Sequence, residues 1–161
     1  SEYVPTEREN KKTEVHAMKN IFEETYTKIA ELKKAYDAAK DEESREKART
    51  AYHDLLKPLE GLGNTAGRLW REYEISRDNG NELLDISEVV WEKDAENFIS
   101  CMREVGIRQF TFSSTWSSAV ETAWLFKQNG CELEGLVEIN GSMNFFEEKR
   151  EKKHGYLFRV N

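Results

Sequence analysis

The residues best placed for chemistry are the hydroxyls of Ser113-Ser-Thr-Trp-Ser-Ser, between a run that reads as an aromatic strand and one that reads as a helix. A strand-to-helix turn presents unpaired backbone N–H groups at the positive end of the helix. Ser113, Ser114, Thr115, Trp116, Ser117 and Ser118 are therefore candidates for holding a phosphate or carboxylate, with Trp116 as a stacking face. The same residues have a structural role open to them. Ser114 or Ser118 can cap the helix, Ser118 and Glu121 have capping-box spacing, and Trp116 is at core spacing with Val120 and Trp124. No Gly-x-Ser-x-Gly elbow surrounds these serines, so no hydrolase nucleophile is suggested.

The other reactive side chains are scattered. His16, His53 and His154 share no metal-ligand spacing, and His53 and Asp54, neighbours on a helix, point to different faces. Cys101 falls in a helical apolar pattern and Cys131 opens a strand-like run; without a Cys-x-x-Cys pair both read as buried thiols. Gly61-x-Gly63-x-x-x-Gly67 is neither a dinucleotide fingerprint nor a phosphate-binding loop, since no strand precedes it and no Gly-Lys-Ser/Thr follows. It reads as a hinge or a close helix contact. The reading names no catalytic residue, no metal and no cofactor.

The elements that would position these residues follow from periodicity. Residues 1–11 read as a loose polar arm. From Thr13, a possible cap, Val15, Met18, Phe22, Thr25, Ile29, Leu32, Tyr36 and Ala39 recur at helical spacing. Asp41 is available to cap a second helix whose apolar face is Ala48, Ala51, Tyr52, Leu55 and Leu56, with an end expected near Lys57 because Pro58 disfavours a helical residue before it. Two such helices pack as a hairpin and need a third partner, either the rest of the chain or a second copy. Asn64 can cap a short helix through Leu69, Trp70 and Tyr73 that ends at Asp78-Asn79-Gly80. Residues 81–91 are open between strand and helix. Trp91, Ala95, Phe98, Ile99, Met102 and Val105 then mark a helix closed by Gly106, followed by a strand through Phe110 and Phe112.

Trp116, Val120, Ala123, Trp124 and Phe126 are expected to form the apolar surface of the next helix, with Gly130 as its stop. A second strand over 131–139 is expected to turn at Asn140-Gly141, a charged excursion over 147–154 to stay in solvent, and Gly155–Val160 to return antiparallel. The expected architecture is α+β: a helical hairpin, then a mixed sheet of three or four strands with helices on one face. Three regions are expected, with 1–57 the arm and hairpin, 58–80 the hinge and short helix, and 81–161 the α+β domain.

Charge narrows the partners. The formal net charge of −7 argues against direct binding of nucleic acid or anionic lipid. Residues 1–80 carry 15 basic and 17 acidic side chains and residues 81–161 carry 9 and 14, so the acidity lies mostly in the C-terminal half. Glu132, Glu134, Glu138, Glu147 and Glu148 are the candidates for meeting a protein partner with a basic groove, such as a nucleic-acid-handling effector. No run approaches membrane-span length and the N-terminus lacks a signal-like apolar core, so the expected setting is cytoplasmic.

The block Gly106-Ile-Arg-Gln-Phe-Thr-Phe-Ser-Ser-Thr-Trp-Ser-Ser, with Gly130-Cys-Glu-Leu-Glu-Gly-Leu-Val-Glu-Ile-Asn and the closing Tyr-Leu-Phe-Arg-Val, resembles uncharacterised small proteins of Firmicutes phages and conjugative elements. The resemblance covers about the last 65 residues of the chain. It implies no transferable catalytic motif; small acidic proteins of that setting with a helical arm resemble anti-CRISPR and other anti-defence inhibitors, which act by occupying a protein surface. The expected function is thus a non-enzymatic protein-binding inhibitor. The alternatives are an anionic-ligand or nucleotide binder using Ser113–Ser118, and a dimerisation module built on the N-terminal helices.

Overall fold

A computed structural model describes residues 20–161. The first helix, α1 (Ile21–Ala38), begins at Asn20, whose Oδ1 accepts from the N–H groups of Phe22 and Glu23 at 2.9 and 3.1 Å. Asn20 is extended, so α1 does not run back through it as the expected helix from Thr13 would. Thr13, Val15, His16 and Met18 lie outside the described residues. Asp41 caps α2 (Glu42–Glu60) by accepting from the Ser44 N–H at 2.7 Å.

The expected stop at Lys57 is corrected, because α2 continues through Pro58 to Glu60. A proline in the final turn forfeits only its own hydrogen bond, while the extra turn buries Leu59 and lets the Gly61 N–H return to the Lys57 carbonyl at 3.2 Å. Helix α3 (Asn64–Asp78) is capped by Gly63 at φ 97° rather than by Asn64. It supplies the third partner that the hairpin needs. Phe22 of α1 meets Trp70 edge-on at 5.4 Å and Tyr73 at 5.6 Å, and all three are buried.

The remainder is β1 (Leu84–Ile86), α4 (Glu92–Val105), β2 (Gln109–Phe112), α5 (Ala119–Gln128), β3 (Cys131–Asn144) and β4 (Lys149–Val160). The sheet order is β1-β2-β4-β3, with β1 parallel to β2 and β4 antiparallel to both its neighbours. The fold is α+β, with a small mixed four-stranded sheet. Leu84 and Ile86 pair with Phe110 and Phe112, and Phe110 pairs with Phe158, so these apolar side chains share one face of the sheet. Phe126 of α5 sits edge-on over that face, 5.1 Å from Phe110 and 5.4 Å from Phe112. Helix α4 buries Ala95, Phe98, Ile99, Met102 and Val105 as the spacing predicts, and Gly106 closes it at φ 87°.

Three expectations for the C-terminal half are corrected. Asn140 and Gly141 do not turn but continue in β3, and the chain reverses at residues 145–148, where Glu148 takes φ 51°. The charged run from Lys149 is strand, because the far half of the β3–β4 ribbon needs no apolar face. Gly141 serves a close approach instead, since a Cβ there would lie 3.1 Å from Lys153 Cε. Finally Trp91, Trp116, Val120 and Trp124 are exposed and do not belong to the core. No helix among the described residues is long and apolar enough to cross a membrane.

Candidate docking groove

The six residues of the serine-rich turn are not gathered into one cradle. Ser113 is buried and its Oγ donates to Asp85 Oδ2 at 2.7 Å, away from solvent. Ser114 Oγ accepts from the Trp116 N–H at 3.3 Å, and Ser118 occupies the N-cap position of α5 without a side-chain capping bond, so the capping box with Glu121 does not form. Thr115, Trp116 and Ser117 face solvent.

Ser113 instead belongs to a polar clamp on the sheet face opposite the aromatic one. Asp85 of β1 is buried and accepts from Thr111 Oγ1 at 2.7 Å as well as from Ser113, with Lys153 Nζ 3.9 Å from Oδ2. Its N–H donates to Ser76 Oγ of α3 at 2.9 Å. Every oxygen of the carboxylate is thus engaged, and the cluster ties β1, β2, β4 and α3 together. Half-buried Glu72 nearby has its pKa raised by burial first, then by the charges of Glu88 and Asp85. Burial pushes both thiols, Cys101 and Cys131, up to about 11. Among the described residues no group of three or more His, Cys, Asp or Glu side chains could hold a metal ion.

The feature that the sequence reasoning missed is a groove of about 760 Å³ between α5 and the start of β3, with Val120, Trp124, Leu133 and Tyr156 among its walls. Helix α5 has two apolar stripes. Thr122 and Phe126 are buried, Thr122 because its Oγ1 donates to the Val90 carbonyl and accepts from the Val90 N–H, both at 3.3 Å. Val120 and Trp124, one turn apart, form the other stripe, and they are 67 and 54% exposed; Trp116, just before the helix, is 70% exposed. Leu133 and Leu136 of β3 continue this apolar surface, Leu136 at 76% exposed. A helix apolar on more than one face is the signal that could have revealed it.

The joint between the two walls is fixed. Helix α5 passes into β3 through Asn129 and Gly130 alone, and Arg103 of α4 donates from Nη2 to the Asn129 carbonyl and from Nε to the Asn161 carbonyl, both at 2.7 Å. Gly130 at φ 95° leaves room for that guanidinium, which would lie 2.7 Å from a Cβ. The groove's shape therefore belongs to the fold. Its rim carries Glu121, Glu132 and Lys127, the last with Nζ 5.3 Å from the Trp124 ring.

Of the five glutamates singled out by charge, Glu132, Glu134 and Glu138 lie along β3 and are exposed, while Glu147 and Glu148 lie on the ribbon tip beside exposed Phe145 and Phe146. Glu132 pairs with Arg159 and accepts from Asn161 at 3.2 Å, and Glu134 accepts from Gln109 at 2.9 Å. The structure brings the first three to the groove's strand and leaves the other two at the far end of the ribbon.

Fold and site together define an α+β protein with a preformed apolar groove beside an edge strand. Residues 68–160 match the family model described as a domain of unknown function, DUF7698, and the chain belongs to that family. The match runs from within α3 to the end of β4, so it includes the groove and the Asp85 clamp. No curated protein and no solved structure matches the chain.

Proposed function

We propose that this is a non-enzymatic protein-binding module that works in the cytoplasm by occupying a partner's surface, with the α5–β3 groove as its contact face. The observation that carries the reading is the exposure of Val120, Trp124 and Leu133 along one groove, with exposed Leu136 further along the same strand. Large apolar side chains gathered in one place mark interaction sites, and tryptophan is enriched among the residues that dominate binding energy. The carboxylates along β3 favour a partner with a basic surface, such as a nucleic-acid-handling effector, and the protein would act on it as an anti-defence inhibitor of the anti-CRISPR type. The free, buried thiols Cys101 and Cys131 suit a reducing compartment.

Size-exclusion chromatography with light scattering, on the protein alone and mixed with Cas9 bound to its guide RNA, tests this. The expected result is a salt-sensitive complex that Val120→Asp abolishes while the variant stays folded. Absence of a complex ends the inhibitor reading for that effector. A complex indifferent to Val120→Asp ends the assignment of the face.

A further inference from the structure

We infer that the groove takes an extended segment of its partner, with apolar side chains alternating with Lys or Arg, as a fifth strand on the outer edge of β3. This rests on the docking reading above and specifies the chemistry of what docks. An unpaired strand edge is a template for another strand, and folded proteins guard their edges. Two of the three edge stretches in this sheet are guarded. At β1 the Asp85 N–H donates to Ser76 of α3. In the far half of β3, Asn81 Nδ2 donates to the Asn140 carbonyl at 2.8 Å and Asn81 Oδ1 accepts from the Asn140 N–H at 2.9 Å, so one side-chain amide does what a paired strand would do.

The remaining stretch is unpaired among the described residues. Backbone groups of an antiparallel strand turn alternately toward and away from the partner, and the β3–β4 register is regular from Gly135 to Asn140. Since Asn140 turns outward to Asn81, Glu138 and Leu136 turn outward too, and among the described residues no hydrogen bond reaches their N–H or C=O groups. The length from residue 131 to 138 is about 25 Å at the rise of a strand. A bulge lies between Leu133 and Gly135, so the regular outward pairing groups are those of Leu136 and Glu138.

That length begins along the wall of the groove. A strand added there would place alternate side chains beside Leu133, Leu136, Trp124 and Val120, and its main chain would pair with Leu136 and Glu138. Charge selects its sequence. Glu132, Glu134 and Glu138 line the strand and Glu121 the helix; Arg159 offsets Glu132 and Lys127 stands at the groove, so the balance remains acidic. Three glutamates in eight residues also disfavour a second copy of β3 as the added strand.

Fluorescence anisotropy with a labelled (Lys-Val)4 peptide and the full chain tests the inference. Saturable binding is expected, weakened about tenfold or more when alternate peptide nitrogens on one edge are N-methylated and unchanged when those on the other edge are. A (Glu-Val)4 peptide is expected to bind at least about tenfold more weakly than (Lys-Val)4. Leu136→Pro removes an outward N–H that β4 does not use together with an apolar side chain of the face. It should therefore weaken binding more than Leu136→Ala without breaking the ribbon, and equal losses from the two would count against strand pairing. No binding, or both methylated peptides binding within about twofold of the parent, overturns the inference. Binding that ignores methylation but falls with Val120→Asp leaves the docking face standing and removes only the strand mode. Peptide and effector binding both indifferent to Val120→Asp remove the docking face itself.

Discussion

Replacing Asp85 by Ala should destabilise the fold by about 2–4 kcal/mol without altering the groove. The carboxylate is 7% exposed and accepts two hydroxyl hydrogen bonds of 2.7 Å, from Thr111 and Ser113. A hydrogen bond to a charged group contributes about 1.5–3 kcal/mol, and both hydroxyls would be left buried without a partner. Against that, the variant no longer has to desolvate a carboxylate, which offsets part of the loss. Lys153 adds little, because its side chain is a third exposed and its Nζ lies 3.9 Å away. Asp85→Asn keeps an acceptor for one hydroxyl and can donate to the other if that hydroxyl rotates, so its cost should be about 1–2 kcal/mol. Urea unfolding followed by tryptophan fluorescence reads both variants, with the slope expected to stay at the parent value. A loss below about 0.5 kcal/mol for the Ala variant would refute the account of Asp85 as a structural clamp. It would also reopen the cluster as a candidate for chemistry.

Glu72→Gln should stabilise the protein at neutral pH. The folded pKa of Glu72 is raised by burial and then by Glu88 and Asp85, so its ionisation opposes folding above the ordinary glutamate range and is without effect below it. The urea midpoint should exceed the parent's at pH 7 and coincide with it near pH 3, and a midpoint unchanged at pH 7 would contradict the assignment. Cys101 and Cys131, with thiols near pKa 11, should resist a disulfide reagent at pH 8 in the native protein and react at once in denaturant. Their thiolate fraction there is roughly two hundred-fold below that of an ordinary cysteine. Rapid native labelling of either would show that its burial is not maintained.

How much of this was legible in the sequence varied with the chemistry of each element. Helix α4 was, since Ala95, Phe98, Ile99, Met102 and Val105 form a single apolar stripe with glycine after it. The α1–α2 connection was also legible, through Asp41. The end of α2 was not, because the proline rule weighs local sterics and could not include the burial of Leu59. The charged half of β4 was not, because strand periodicity is read from alternating hydrophobicity and a solvated ribbon has none. Ser113 was named as a ligand residue from its place in a turn, whereas its hydroxyl is spent on Asp85, a residue 28 positions earlier whose neighbourhood is set only by β1–β2 pairing. For the groove, three glutamates of its strand were found by charge alone. Its tryptophans were assigned to the core, since an exposed and a buried aromatic look the same in a sequence.

The topology itself explains why the apolar stripe of α5 stays uncovered. Helix α4 joins the parallel pair β1–β2 and so lies over that side of the sheet, while α5 leaves β2 and must pass β4 to reach β3. Phe126 then meets Phe110, Phe112 and Phe158, which fixes the inner stripe over β2 and β4. Among the described residues no element lies on the outer side, because after α5 the chain makes β3 and then β4, which returns between β3 and β2. Leu133 and Leu136 therefore lie beyond the flank of α5. A chain selected only for folding would place polar residues at Val120, Trp124 and Leu136, at no cost in core packing and with a gain in solubility. Their apolar character beside an edge left unpaired among the described residues is the strongest reason to propose this face as a docking surface.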